Sequence, residues 1–145
     1  MRHLLLATAL SALALASSAC GDDGGGTAVD ARTIDADADA INGCTRAGAT
    51  DLTAAGAART IDTVGLSYSP SCIRIKAGQS VTWNSAFASH PLSSGTPAGG
   101  PQAGSPITVT TSGASKTFAF PAAGTFGYFC QVHTTLMMGA VYVEP

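Results

Sequence analysis

From residue 60 onward the apolar positions of the chain recur with a period of two. Ile61, Thr63 and Gly65 alternate with Asp62, Val64 and Leu66, and Ile73-Arg74-Ile75 sets two isoleucines on one face. Val81-Thr82-Trp83, Ile107-Thr108-Val109, Thr117-Phe118-Ala119-Phe120, Phe126-Gly127-Tyr128 and Ala140-Val141-Tyr142-Val143 read the same way. Successive side chains of a strand point to opposite faces, so this period predicts short strands with one face buried. Turn signals separate them at Ala77-Gly78-Gln79, Ser112-Gly113 and Pro121-Ala122-Ala123-Gly124. No ten-residue helical pattern interrupts the series. About six to eight short strands in one small domain predict an all-β fold, a Greek-key β-sandwich. Trp83, Phe118, Phe120 and Phe126 read as its core, and Arg74, Lys76 and Lys116 as solvated charges. The Gly/Pro/Ser-rich stretch from Ser93 to Pro106 reads as one long surface loop.

The first 60 residues obey a different rule. Met1-Arg2-His3 is a short basic start, and Leu4 to Ala16 is an apolar run of signal-peptide length. It is shorter than the ~20 residues a membrane-spanning helix needs. Small residues then lead into Ser17-Ser18-Ala19-Cys20. Residues 1–19 are therefore expected to be an export signal, with the mature protein in the periplasm or at the cell surface. Cys20 is the candidate lipid anchor of a membrane-tethered lipoprotein, although Ser17 stands where leucine is usual. Plain cleavage after Ala19 is the alternative. Residues 20–43 hold the run Asp35-Ala-Asp-Ala-Asp-Ala40 and no aromatic. Such a segment cannot bury enough apolar surface to offset its ordering entropy, so a flexible acidic tether is expected. It lacks the glycine and glutamate spacing of a calcium-binding EF-hand loop. The domain is then 44–145.

Composition narrows the function. With 145 residues the chain has room for one domain and not for a large enzyme. Charged residues are only 11% of it and the formal net charge is −2, with no basic cluster, so nucleic acid is not an expected partner. Beyond residue 60 only Asp62, Arg74, Lys76, Lys116 and Glu144 are charged, whereas every aromatic lies there. The three histidines become two, His90 and His133, once His3 leaves with the signal.

Those two stand near sulfur. Cys130-Gln-Val-His133-Thr-Thr-Leu-Met137-Met138 is a short connection between two expected strands, and His90 lies just beyond another. If both segments meet at one end of the sandwich, they assemble two imidazoles, a thiolate and a thioether. That is the donor set of a blue-copper electron-transfer site. The stretch Tyr68-Ser-Pro-Ser-Cys-Ile-Arg-Ile-Lys-Ala-Gly-Gln-Ser-Val-Thr-Trp83 comes first. His90, Gly124-Thr-Phe-Gly-Tyr-Phe-Cys130 and Met-x-Gly-x-Val-x-Val then follow. Together they resemble the cupredoxins, the plastocyanin/azurin-like type 1 copper proteins, over residues ~60–145. The resemblance implies one copper ion held by His90, Cys130 and His133, with a methionine as weak axial ligand. The Met-x-Gly-x-Val-x-Val register selects Met137; the loop count of plastocyanins selects Met138. Relatives offer a backbone N–H to the cysteine sulfur just after the first histidine, which Pro91 lacks. Val132 offers another amide nearby.

Outside that copper pattern, Cys44 and Cys72 remain as a disulfide pair suited to an exported chain. A competing reading gives Cys130 the cross-sheet disulfide of an immunoglobulin-like sandwich around Trp83, leaving both histidines and both methionines unexplained. Two histidines are too few for the second copper centre of a multicopper oxidase or nitrite reductase, and no carboxylate accompanies them as in zinc hydrolases. The expected function is one-electron transfer in the cell envelope by a monomer, not catalysis. Redox partners would dock transiently near His133 on an apolar patch of Ala86, Phe87, Pro91, Leu92, Leu136 and a methionine. The alternatives are a protein that buffers or delivers copper without carrying electrons, and a surface module for adhesion or assembly.

Overall fold

A computed structural model describes residues 39–145; the expected export signal, Cys20 and the spacer up to residue 38 lie outside the described residues. The described residues form nine strands: β1 (Thr50–Asp51), β2 (Thr60–Val64), β3 (Ser67–Ser69), β4 (Cys72–Lys76), β5 (Ser80–Asn84), β6 (Leu92–Ser94), β7 (Ser115–Ala119), β8 (Gly124–Cys130) and β9 (Met138–Glu144). No helix occurs among the described residues. The strands make two sheets, one in the order β1-β4-β9-β8-β6 and the other β3-β2-β5-β7. Only the β2–β3 and β8–β9 connections stay within a sheet, which is how β4 comes to lie parallel to β9 and β2 parallel to β5. The fold is the expected all-β sandwich.

Between the sheets lies one core of Ile61, Ile73, Ile75, Val81, Trp83, Phe87, Leu92, Phe120, Tyr128 and Val141, all fully buried. Trp83 is its centre, edge-on to Tyr128 at 5.1 Å and to Phe118 at 5.6 Å between ring centroids. Such T-shaped pairs set the positive edge of one ring against the negative face of the other. Along β4 and β5 burial alternates residue by residue, as the period of two requires. β8 and β9 do not alternate; Gly127 to Cys130 and Gly139 to Val143 are buried on both faces.

The reason is a strap formed by residues 39–49 across the outer face of the five-stranded sheet. Ile41, Cys44 and Ala49 pack there on Ala140 and Tyr142, and Cys44 is disulfide-bonded to Cys72 at the start of β4. Arg46 lies 5.0 Å from the Tyr142 ring centroid and pairs with Asp39 at 2.7 Å and Glu144 at 2.9 Å. The Tyr142 hydroxyl donates to Asp39 O at 3.1 Å. The expected tether was to run to Gly43, yet residues 39–43 are packed against the domain, because these contacts outweigh the acidic composition.

Two loop expectations also change. Ile107-Thr108-Val109 is not a strand: Pro106 has no N–H, the Ile107 N–H is taken by Ser105 Oγ at 3.2 Å, and only Thr110 pairs with Leu92. Conversely, the presumed surface loop begins with β6, antiparallel to β8, and Ser93 and Ser94 are buried. Its Gln102 donates to Thr125 O at 2.9 Å and accepts from Gly127 N at 3.2 Å, stitching the loop to β8. Gly95 (φ 91°) lets that loop turn, since a Cβ there would overlap Gly100 O.

Candidate metal centre

Three segments converge at one end of the sandwich. The first leaves β5 at Asn84 and is hung on the segment before β7 by Ser85 N–H to Ala114 O (3.0 Å) and Phe87 N–H to Gly113 O (3.1 Å). Phe87 plugs the core beneath it. The His90 N–H then closes a turn on Ala86 O at 2.9 Å, which presents the half-buried imidazole to the site. The second segment is the end of β8, where Cys130 lies fully buried opposite Leu92. The third is the connection from Gln131 to Met137. Three hydrogen bonds close it: Cys130 N–H to Met137 O, Leu136 N–H to His133 O, and Gln131 N–H to Pro91 O, each 2.8 Å. The last of these binds the His90 segment directly to the Cys130 segment.

The result is a compact donor cluster. His90 Nδ1 and His133 Nδ1 are 3.2 Å apart, and Cys130 Sγ is 3.5 Å from His133 Nδ1. All three donor atoms lie within 4.8 Å of one another. Ligands bound to one transition-metal ion at about 2.0–2.3 Å stand about 3–4 Å from each other, so this spacing suits a single ion. The set is one soft sulfur with two imidazoles and no carboxylate, the donor types of a type 1 copper site. Met137 is fully buried and packs in the same core cluster as Cys130. Met138 is half-buried, opens β9 and pairs with Phe129, so it belongs to the opposite face. The structure thus brings the donor atoms of His90, Cys130 and His133 together, with the Met137 backbone hydrogen-bonded opposite Cys130. Cys20 lies outside the described residues.

The surroundings revise several sequence readings. Cys130 is a free thiol and Cys44–Cys72 is the disulfide, which rules out the immunoglobulin-like pairing. Among the described residues no backbone N–H donates to Cys130 Sγ; the amide of Val132 does not reach it. Phe87 and Leu92 are fully buried, so they are core and not docking surface. The exposed apolar residues beside His133 are Leu136 (67% accessible) and Val132 (62%), the latter overlooked in the sequence. Also overlooked was Tyr68. Its ring stands edge-on to Tyr128 at 5.1 Å, and its buried hydroxyl has no partner among the described residues. Burial first, and then the nearby Cys130 charge, push its phenol far above the ordinary tyrosine range.

The sequence profile of the copper-binding plastocyanin/azurin family matches residues 54–144. The chain belongs to that family. No curated protein sequence matches this cupredoxin. Among solved structures, amicyanin from Paracoccus versutus is 24% identical, with 63% of this chain covering 85% of that one at a TM-score of 0.45. The reduced state of an amicyanin mutant is 28% identical, with 63% of this chain covering 86% of that one at a TM-score of 0.44. A copper-containing nitrite reductase from Thermus scotoductus is 21% identical at a TM-score of 0.46, and 59% of this cupredoxin covers 22% of it.

Proposed function

We propose that this cupredoxin carries single electrons in the cell envelope through one type 1 copper ion, which His90, Cys130 and His133 would hold with the Met137 sulfur as a fourth donor. The observation that carries this reading is the convergence of a buried thiol and two imidazole Nδ1 atoms from three chain segments tied to one another. Copper, when bound, supplies a one-electron Cu(I)/Cu(II) couple. The residues supply the rest. Cys130 and Met137 are held rung to rung by the ladder, His90 is fixed by its own turn, and the buried surroundings of the sulfur keep water away. Sharing a face with Cys130 favours Met137 over Met138.

His133 is the exit point for the electron: it is half-buried and flanked by the exposed Val132 and Leu136. A small apolar patch of this kind supports the weak, transient docking that a carrier needs. Export through residues 1–19 fits the disulfide, because oxidising compartments preserve such bonds. Anchoring through lipid on Cys20 would hold the monomer at a membrane; mass spectrometry of the mature N-terminal peptide tests it.

The function is tested by reconstitution with Cu(II). One equivalent should give an intense blue absorption and reversible one-electron voltammetry. A colourless protein that binds Cu(I) alone and surrenders it to a chelator would instead make it a copper buffer or delivery protein.

A further inference from the structure

One side-chain amide outside the donor set bonds β8, β9 and the residue just after β6, three segments that adjoin the donors. Asn42 Nδ2 is 2.9 Å from Gly95 O, 3.1 Å from Tyr128 O and 3.0 Å from Gly139 O. Gly95 directly follows β6, which starts two residues after His90. Tyr128 lies in β8 two residues before Cys130, and Gly139 lies in β9 two residues after Met137. Tyr128 and Gly139 face each other across the β8–β9 ladder. Two residues along each strand toward the site, Cys130 N–H donates to Met137 O at 2.8 Å. The amide therefore sits beside the rung that bears the cysteine and the buried methionine.

The chain is shaped to admit it. A Cβ on Gly127 would come 2.6 Å from Ile41 Cδ1 and 3.1 Å from Asn42 Nδ2, so glycine leaves the space for the strap. Asn42 has φ 53°, a left-handed conformation that asparagine tolerates better than most residues. Two residues later the Cys44–Cys72 disulfide fixes the strap to β4. Two amide hydrogens shared among three carbonyls hold a point, not a line, and that point is common to β6, β8 and β9.

We propose that Asn42 is a positioning residue for the donor cluster: it locks β6, β8 and β9 in the mutual placement that brings His90, Cys130 and Met137 together before metal arrives. Only the second of the two readouts below rests on the copper reading.

The first readout uses the full metal-free chain. Cys130 is fully buried, so a thiol reagent reaches it only when the β8–β9 end opens, and mass spectrometry of its peptide reads the labelling. Asn42→Gly deletes the amide and keeps the left-handed backbone; labelling should become about tenfold faster. Asn42→Asp retains the shape, sets acceptor against acceptor, and should label at least as fast. Ile61→Val, a buried change in the other sheet, is the control and should stay within about twofold of wild type. The second readout is the Cu(II)-loaded protein, whose visible band and electron-paramagnetic hyperfine splitting should shift in both Asn42 variants and not in Ile61→Val. Unchanged labelling in both Asn42 variants, or an increase shared by Ile61→Val, overturns the proposal. Faster labelling together with a wild type that never turns blue leaves the clamp standing and removes the copper reading instead.

Discussion

The two sheets contribute the same core and almost none of the same chemistry. The four-stranded sheet has one wet face, where Asp62, Asn84 and Thr117 stand exposed while Ile61, Val81 and Trp83 point inward. Its one gift to the site is the connection leaving β5 that delivers His90. The five-stranded sheet is covered on both faces at β8 and β9, by the core inside and by the strap of residues 39–49 outside. It carries Cys130 and leads into Met137, and its loop holds His133. The lesson is a division of labour: the open sheet supplies packing energy, and the doubly covered sheet supplies a frame in which strand ends cannot drift.

The largest effect that would sharpen this contrast is Cys130→Ser. It should abolish the blue absorption entirely while far-ultraviolet circular dichroism stays unchanged, since the site lies at a strand end and not at the centre of the core. Trp83→Ala is the counterpart in the other sheet. It should remove about 3–5 kcal/mol of stability, read by urea unfolding, as truncation of a fully buried aromatic does. The blue band should persist in whatever fraction stays folded; its loss in the folded fraction would break the division of labour.

Replacing both Cys44 and Cys72 by alanine comes next, with about 2–4 kcal/mol lost on unfolding because the unfolded chain is no longer cross-linked. Leu136→Asp should leave stability within about 0.5 kcal/mol. It should slow electron self-exchange between Cu(I) and Cu(II) copies about tenfold by placing like charges face to face at the docking patch. A mild alkaline effect is the smallest. Burial raises the phenols of Tyr68 and Tyr128 above their ordinary value, so the folded state keeps protons that the unfolded state releases. Stability should hold below pH about 10, the ordinary tyrosine value, and fall as pH rises beyond it. Absorbance of tyrosinate, appearing only with unfolding, checks this.

The same contrast explains what could be read from the sequence. Where one face is wet, hydrophobic periodicity is a direct imprint of burial, so Val81-Thr82-Trp83 and Ile73-Arg74-Ile75 were legible as strands. The clustering of Cys130 with His133 was legible because the two sit on one short connection and so carry a spacing. His90 was legible by residue type, since the expected mature chain holds only one other histidine. Leu92–Ser94 was not, because a three-residue strand buried on all sides has no alternation to show, and serines disguised it as loop. Ile107-Thr108-Val109 misled for the opposite reason: it alternates, but Pro106 and Ser105 use up the backbone bonding around it. The start of the strap was hidden because Asp39 continues the acidic run of residues 35–40. Nothing local to Asn42, which reads as part of the acidic tether, says that its amide reaches residues 53, 86 and 97 positions away.

The most direct test of the central claim, one copper held by this cluster, is X-ray absorption at the copper edge of the loaded full chain. Wild type should show one short copper–sulfur contact and two imidazole nitrogens, with the sulfur contact gone in Cys130→Ser. Copper bound by nitrogen and oxygen alone, or a sulfur contact that survives Cys130→Ser, would contradict it.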